Sequence, residues 1–265
     1  MKSAAGLTYD ERGSGEVVFL VHAGVFGRWF EPLFDDRSLD GFRVIRPLRP
    51  GYGANPTPSG HFTIADHARA CGELLRKLGV ERAHWVGHSS SCCMGLQLAL
   101  DAPDLVAGLV LYEPAQPAGP LRDAMVPRFV GPAMAAARDG DISTAFDVFL
   151  SGMGGDRYRD VLRERLGEDG ITDAIRESAY FFSDEFPAIR EWCFGDADGA
   201  RIEAPTLVVA GAASRPWFLE NVELLAKMVP GAEMVTVPGL DHMAPLARPG
   251  DLGEVIARFV HARGR

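Results

Sequence analysis

One short stretch of the chain, residues 83–95, constrains the fold more than any other. Residues 83–86 are typical of a buried strand, Gly87 interrupts them, and a run of small and apolar residues typical of a helix begins at Ser90. Ser89 therefore lies at a sharp strand-to-helix turn, where its hydroxyl group stands clear of both elements. Glycine suits the position beside such a turn because it has no side chain to obstruct the close backbone.

The turn has the composition expected around a reactive serine. It follows the pattern G-x-S-x-G except that the last glycine is Ser91, whose small side chain still permits close packing of helix against strand. The helix that begins at Ser90 directs free backbone N–H groups toward the turn, so an oxyanion beside Ser89 would find a donor. The sequence therefore predicts Ser89 as a nucleophile, with the N–H of Ser90 in the oxyanion hole.

Composition and charge limit the classes of partner that the protein is expected to bind. The 265 residues, 47% of them hydrophobic and 24% charged, suffice for one large globular domain with a substantial core. The net charge of −9, without a basic run, argues against nucleic acid or membrane as partners. Residues 1–15 lack a signal-peptide core and the four cysteines lack metal-type spacing, so we expect a cytoplasmic protein without metal or cofactor. The choice between monomer and homodimer stays open.

Strand-like and helix-like segments alternate along the chain, as in a parallel α/β sheet. Strand-like runs occupy residues 7–10, 16–21, 42–45, 83–86, 106–112, 204–210 and 233–237. Between the fifth and sixth runs lies a proline-punctuated stretch with helical patterns near residues 132–138, 142–150, 157–166 and 171–182. Such an insertion is typical of a lid. We expect a first core segment at residues 1–116, a helical cap at 117–198 and a second core segment at 199–265.

Four loops that each follow a strand carry the motifs of a known family. They are His22-x-Gly24, residues 49–53 (Arg-Pro-Gly-Tyr-Gly), residues 87–91 and residues 239–242 (Gly-Leu-Asp-His). In this order and setting the chain resembles the α/β-hydrolase superfamily over nearly its whole length. The resemblance implies a mostly parallel eight-stranded sheet, with helices on both faces and a helical cap inserted after strand six. It also implies that the active residues lie at the carboxyl ends of strands.

The resemblance supplies roles for further residues of a serine hydrolase site. His242, in the turn after the last strand, would be the base that a serine hydroxyl needs. The second oxyanion donor would be the N–H of Gly24, with that of Val25 as the alternative. Here Ala23 replaces a glycine of the family pattern, so the geometry of this loop departs from the family's.

The acid of the triad is where the chain departs most from the family. The family places an aspartate shortly after the seventh strand, and here Ser214 stands at that position. Relatives that resemble haloalkane dehalogenases use a glutamate at the end of strand six, which corresponds to Glu113. Asp241 and Glu220 are weaker candidates, because the first adjoins His242 and the second lies along a helix that leads away. A structural role for Glu113, capping N–H groups at the hinge of the cap, also stays open.

Apolar side chains near these residues indicate a pocket for a small apolar substrate. The candidates are Val25, Phe182, Trp192, Trp217 and Met243, and the wall also includes Phe181 beside Phe182 and Phe218 beside Trp217. The sequence thus predicts a cofactor-independent serine hydrolase acting on an ester, lactone, thioester or dicarbonyl compound. Two other functions stay open: a lyase, cyclase or perhydrolase that uses the same site, and a catalytically degenerate protein that only binds a small molecule.

Overall fold

An eight-stranded sheet forms the centre of the protein. In the computed structural model, which describes residues 1–263, the strands are β1 Lys2–Ala4, β2 Leu7–Arg12, β3 Val17–Val21, β4 Arg43–Pro47, β5 Ala83–His88, β6 Val106–Tyr112, β7 Thr206–Gly211 and β8 Glu233–Val237. Their spatial order is β1-β2-β4-β3-β5-β6-β7-β8. The pairs made by β1 and β2 are antiparallel, and all other pairs are parallel. The structure confirms the predicted mostly parallel sheet of eight strands.

The strand order reverses at β3, because the chain continues to β4 on one side and then crosses to β5 on the other. In open α/β sheets, ligands bind at the carboxyl ends of the strands beside such a reversal. The carboxyl end of β3 leads into the loop of Gly24, and that of β5 leads into Ser89. The topology therefore brings these two loops together at one edge of the sheet.

Helices cover both faces of the sheet. They are α1 Glu31–Phe34, α2 Ile64–Lys77, α3 Ser90–Asp101, α4 Pro120–Met125, α5 Pro127–Arg138, α6 Ile142–Gly154, α7 Tyr158–Tyr180, α8 Phe186–Glu191, α9 Asp196–Gly199, α10 Pro216–Met228, α11 Ala244–Ala247 and α12 Pro249–His261. Strand residues alternate between two cores: Phe19 of β3 lies in the core beneath α2 and α3, and Leu20 lies in the core beneath α1 and α12. Burial on both faces explains why β3 is apolar at every position.

The cap consists of α4 to α9 and lies between β6 and β7, as the resemblance implied. Gly167, with φ +67°, breaks α7 between the two helices that the sequence predicts at residues 157–166 and 171–182. A π-helical turn, Phe181–Glu185, follows α7 and has no counterpart in the sequence prediction. Such turns are frequent at functional sites. The cap boundaries at residues 117 and 198 stay a prediction.

The sequence prediction missed strand β1 and three short cap helices, α4, α8 and α9. Strand β1 has three residues, all at least partly exposed, so it shows no apolar alternation. Helix α4 lies in the proline-rich stretch that reads as irregular, because Pro120 occupies its first position, where a missing N–H costs nothing. Among residues 1–263 no helix is both long enough and apolar enough to cross a membrane.

Candidate active site

Ser89 occupies a strained turn between β5 and α3. Its φ of +54° and ψ of −115° are unfavourable for a residue with a side chain. The turn is possible because Gly87 has no Cβ: a Cβ there would lie 2.9 Å from the backbone nitrogen of Cys92. Ser91 is fully buried, accepts the N–H of His88 at 2.8 Å and donates to the carbonyl of Val21 at 2.6 Å. Ser91 therefore ties the turn to β3 in the place of the expected glycine.

The structure brings Glu113 to His242. Glu113 follows the last residue of β6, and its Oε2 lies 2.7 Å from Nδ1 of His242. The same carboxylate accepts the N–H of Gly211 on Oε1 at 2.9 Å, and Glu113 is fully buried. A carboxylate can only accept hydrogen bonds, so Nδ1 carries the proton and Nε2 of His242 is left as an acceptor. The ring of Phe218 stacks on the imidazole, with centroids 4.1 Å apart and an interplanar angle of 12°.

The three alternatives to Glu113 form hydrogen bonds to groups other than the imidazole of His242. Ser214, at the position where the family has its aspartate, donates its hydroxyl to Oε1 of Glu113. Asp241 accepts the N–H of Met243 at 2.9 Å and so closes its own turn. Glu220 accepts the N–H of Leu121 at 2.9 Å, at the start of the cap. Ser214 therefore supports the glutamate instead of replacing it.

Backbone strain is concentrated at this site. Four non-glycine residues in the described chain have positive φ, and three of them are Val25, Ser89 and Glu113. The fourth, Ala5, lies in the tight turn between β1 and β2. Strained residues persist where the surrounding structure holds them, and they cluster at functional sites.

The oxyanion prediction needs a correction at Gly24. Its N–H donates to Oγ of Ser90 at 2.9 Å, so it is already satisfied. Val25, the alternative, is held at φ +75° by a bond from the N–H of Phe26 to the carbonyl of Gly24, 3.0 Å long. Within the described residues, the N–H groups of Val25 and Ser90 have no acceptor, and both residues line the cavity beside Ser89. The hydroxyl of Ser90, which sequence reasoning did not consider, accepts the N–H of Gly24 and so makes Val25 the better candidate for the second oxyanion donor.

A small cavity of about 50 Å³ lies beneath the cap, and both Ser89 and His242 line it. No hydrogen bond to any described residue involves Oγ of Ser89 or Nε2 of His242, and neither atom is sealed from the cavity. In unliganded sites such bonds are often long and tighten only when substrate binds. The geometry therefore places a serine hydroxyl and an imidazole acceptor at one enclosed space.

Two of the five predicted pocket residues line this cavity, Val25 and Trp217. Phe182 does not: it packs behind the wall against Phe149, at a centroid distance of 5.7 Å. Trp192 also lies outside the cavity lining, and its indole N–H donates to Gln97 at 2.8 Å. Met243 points away, toward Gly154 of α6. Phe181 and Phe218, the neighbours of Phe182 and Trp217 that the sequence also assigned to the pocket wall, line the cavity as well. The side chains that the sequence missed come mostly from the cap and α10: Arg122, Val126, Phe149, Leu150, Met153, Phe186, Ile189 and Asn221.

A buried ion pair, also missed from the sequence, joins the cap to the core beside Ser89. Nη2 of Arg49 donates to both carboxylate oxygens of Glu185, at 3.0 and 3.1 Å, and both residues are fully buried. Tyr52 donates its hydroxyl to Oε2 of Glu185, and Ser90 donates its own to Oε1 at 2.8 Å. Glu185 belongs to the π-helical turn of the cap. The carboxylate of Glu185 therefore fixes the side chain of Ser90 from above.

The charges around the site follow from burial and pairing. Burial, the largest single influence, would raise the pKa of Glu185. The charge of Arg49, together with His67 and the hydrogen bonds from Tyr52 and Arg49, outweighs burial and lowers that pKa below its ordinary value. Burial, then the charge of His242, lowers the pKa of His88 well below its usual range. His88 lies against His242, with ring centroids 4.5 Å apart. A neutral His88 adds no positive charge next to His242.

Comparisons with known proteins agree with this architecture. A model of the alpha/beta hydrolase family matches residues 17–255. The chain belongs to the alpha/beta hydrolase family. A hydrolase from Pseudomonas aeruginosa PA01 has a similar solved structure, with a TM-score of 0.77, 27% identity and coverage of 96% of this chain and 94% of that one. Relatives that carry hydrolase names share this fold.

Among curated relatives of this alpha/beta hydrolase, one match spans nearly the full length. The 2-(acetamidomethylene)succinate hydrolase of Mesorhizobium japonicum is 26% identical over 97% of this chain and 92% of its own. The 2-hydroxy-6-oxo-6-phenylhexa-2,4-dienoate hydrolase of Comamonas testosteroni is 31% identical over 40% of this chain and 39% of its own. Other curated relatives are likewise matched over only 29 to 41% of their length.

Proposed function

We propose that this alpha/beta hydrolase is a cofactor-independent serine hydrolase that uses Ser89 as nucleophile, His242 as base and Glu113 as the acid. The observation that carries the proposal is the 2.7 Å contact between Glu113 and Nδ1 of His242, at a cavity that His242 shares with Ser89. A base oriented by a buried carboxylate and facing a serine on a strained turn is the arrangement that activates a hydroxyl group.

In the first half of the reaction, Ser89 Oγ attacks the carbonyl carbon of the substrate while Nε2 of His242 takes the hydroxyl proton. Glu113 stabilises the resulting imidazolium through the proton on Nδ1. The negative charge on the former carbonyl oxygen is accepted by the N–H groups of Ser90 and Val25. Loss of one such donor typically costs about 3 kcal/mol of transition-state stabilisation.

The first half ends when the tetrahedral intermediate collapses and the leaving group takes the proton from His242. Ser89 then carries the acyl group as an ester. In the second half, a water molecule, deprotonated by Nε2 of His242, attacks this ester and releases the acid, and the proton returns to Ser89. The imidazole thus acts as base and then as acid in each half-reaction.

The cavity wall favours small, largely apolar esters, lactones, thioesters or dicarbonyl compounds. Most of the lining is aliphatic or aromatic, contributed by cap residues such as Phe149 and Phe181. Its volume, about 50 Å³, is roughly a third of an apolar cavity that holds benzene. Substrate entry therefore requires outward movement of cap side chains or of the cap itself.

The test is hydrolysis of p-nitrophenyl esters of increasing acyl length by the wild-type protein and by Ser89→Ala. We expect turnover of the shorter esters that is lost in Ser89→Ala, because the proposed mechanism forms the acyl-enzyme on Ser89. Ser183→Ala, an exchange of the same kind in the cap outside the cavity lining, serves as the matched control and should retain the activity. Turnover that persists in Ser89→Ala, or its absence for every ester, would contradict the proposal.

A further inference from the structure

The cavity contains one permanently charged side chain, Arg122 of α4. Every other lining residue is apolar or neutral except the titratable His242. The guanidinium of Arg122 makes no ion pair within 4 Å with its exposed neighbour Asp123, and no described side chain accepts a hydrogen bond from it. Burial lowers the pKa of Arg122 below its ordinary value. A guanidinium nevertheless keeps its proton in proteins, so it lies partly desolvated and without a partner.

Arg122 also lines a wider groove of about 790 Å³ outside the cavity. Two residues besides Arg122, Val126 and Phe186, line both spaces, so the groove adjoins the cavity at the base of α4 and α8. The groove carries two more arginines, Arg138 and Arg190. The titratable side chains that line the groove are three arginines and two carboxylates: Arg122, Arg138, Arg190, Asp123 and Glu191.

The acidic groups of the groove do not neutralise it. Glu191 is turned toward His61, whose Nε2 lies 2.9 Å from its carboxylate. The groove thus has an excess of positive charge in a chain with a net charge of −9. A local basic surface on an acidic protein attracts anions and directs them toward the site.

A second unpaired donor lies in the wall of the cavity. The indole N–H of Trp217 is buried and has no hydrogen-bond partner within the described residues. Oδ1 of Asn221, whose Nδ2 donates to the carbonyl of Pro114 at 3.1 Å, is a buried acceptor without a partner. Buried polar groups are normally satisfied, and those in a pocket are satisfied when a ligand binds. Both residues line the cavity, but these two atoms are sealed within its wall and become available to a ligand only if the wall moves.

We propose that the substrate carries a carboxylate, which Arg122 binds at the junction of groove and cavity while the scissile carbonyl lies at Ser89. The proposal rests on the proposed function, since it takes this cavity as the substrate site. The apolar wall would then enclose the part of the molecule between its two polar ends. Arginine suits this role because its planar donors match the two oxygens of a carboxylate.

The test is binding to Ser89→Ala protein, which removes turnover from the measurement. Titration calorimetry with monomethyl adipate, an anion, and dimethyl adipate, its neutral counterpart, gives the ratio of the two dissociation constants. We expect the anion to bind about tenfold more tightly or better, as for a hydrogen bond to a charged group. Added as a second substitution, Arg122→Gln should reduce this ratio to about twofold, and Arg122→Lys should retain part of it.

The matched control is Arg128→Gln, which removes the same charge from an exposed position of α5 outside both spaces. It should leave the ratio unchanged. Equal affinity for the two esters, no binding of the anion, or a preference that survives Arg122→Gln would overturn the proposal.

Failure of the proposed function would appear in a different measurement. In the protein with Ser89 intact, Ser89-dependent hydrolysis without a preference for anions would reject the carboxylate and retain the serine hydrolase. Tighter binding of the anion through Arg122, without Ser89-dependent turnover of any ester, would retain the carboxylate site and reject the serine hydrolase.

Discussion

Two fully buried glutamates, Glu113 and Glu185, flank the turn of Ser89 and differ in what they bind. Glu113, at the end of β6, binds the imidazole of His242 and two neutral donors. Glu185, in the cap, binds the guanidinium of Arg49 and two hydroxyl groups. Burial alone therefore does not identify a triad acid in this fold. The side chain that the carboxylate binds is the better criterion, because an imidazole can exchange its proton with a serine and a guanidinium cannot.

From this difference we predict that the two glutamates determine different properties of the protein. Glu113 would act on the rate of reaction, through the orientation and charge of His242. Glu185 would act on stability, because its carboxylate compensates a fully buried arginine. It also fixes the side chain of Ser90, which in turn occupies the N–H of Gly24.

The largest effect is expected for Glu113→Gln. The amide keeps the shape of the side chain but removes the charge that stabilises the imidazolium, so kcat should fall by about two to four orders of magnitude. Ester hydrolysis, with folding verified by circular dichroism, measures it. The control is Ser214→Ala, which removes one neutral hydrogen bond to the same carboxylate. It should cost about tenfold or less. A value of kcat within a few-fold of wild type in Glu113→Gln would make Glu113 a structural residue and leave a Ser–His dyad.

Glu185→Gln should mainly reduce stability. It leaves Arg49 buried without a counter-charge, which typically costs about 3–5 kcal/mol. Urea unfolding gives the free-energy change, and ester hydrolysis should show a smaller loss in kcat than Glu113→Gln. The double variant Arg49→Met/Glu185→Leu should recover part of the loss, because neither charge is then unpaired. A Glu185→Gln protein as stable as wild type, or as inactive as Glu113→Gln, would remove the distinction between the two glutamates.

A smaller, pH-dependent effect is expected at His67, which lies near the Glu185 cluster and contacts the hydroxyl of Tyr180 at 3.2 Å. Burial lowers the pKa of His67 to about 3. The unfolded chain, with an ordinary histidine pKa, takes up a proton at higher pH than the folded protein, so stability is lost as the pH falls below about 6.5. Between pH 7 and pH 5 the His67 contribution amounts to about 2 kcal/mol.

Urea unfolding of wild type and His67→Gln at pH 7 and pH 5 tests this value. The wild-type protein should lose about 2 kcal/mol more than the variant over that interval. An equal loss in both proteins would show that His67 is not held neutral by the fold.

The sequence was most informative where a local pattern has a local cause. The strand, Gly87 and the small residues after Ser89 predicted the turn because close backbone packing leaves few alternatives there. The same reasoning failed for the loop of Gly24. A motif alignment selected its N–H, whereas the hydroxyl of Ser90, 66 positions later, accepts that N–H. Nothing within the loop itself encodes this contact.

Contacts between cap and core were not predictable for the same reason. Glu185 is one acidic residue among many in the helical insertion, and only the fold places it against Arg49. Pocket assignment from aromatic residues succeeded for Phe181, Trp217 and Phe218 but failed for Phe182. Adjacent positions on a π-helical turn face different directions, and the sequence showed no sign of that turn.

Labelling with a fluorophosphonate probe, followed by peptide mass spectrometry, tests the role of Ser89 most directly. The probe reacts with a serine only when a base activates its hydroxyl group, so labelling reports Ser89 and His242 together. We predict a single adduct on Ser89, absent in Ser89→Ala and formed much more slowly in Glu113→Gln. An adduct on Ser90 or Ser91, or labelling that persists in Ser89→Ala, would contradict the assignment of Ser89 as the nucleophile.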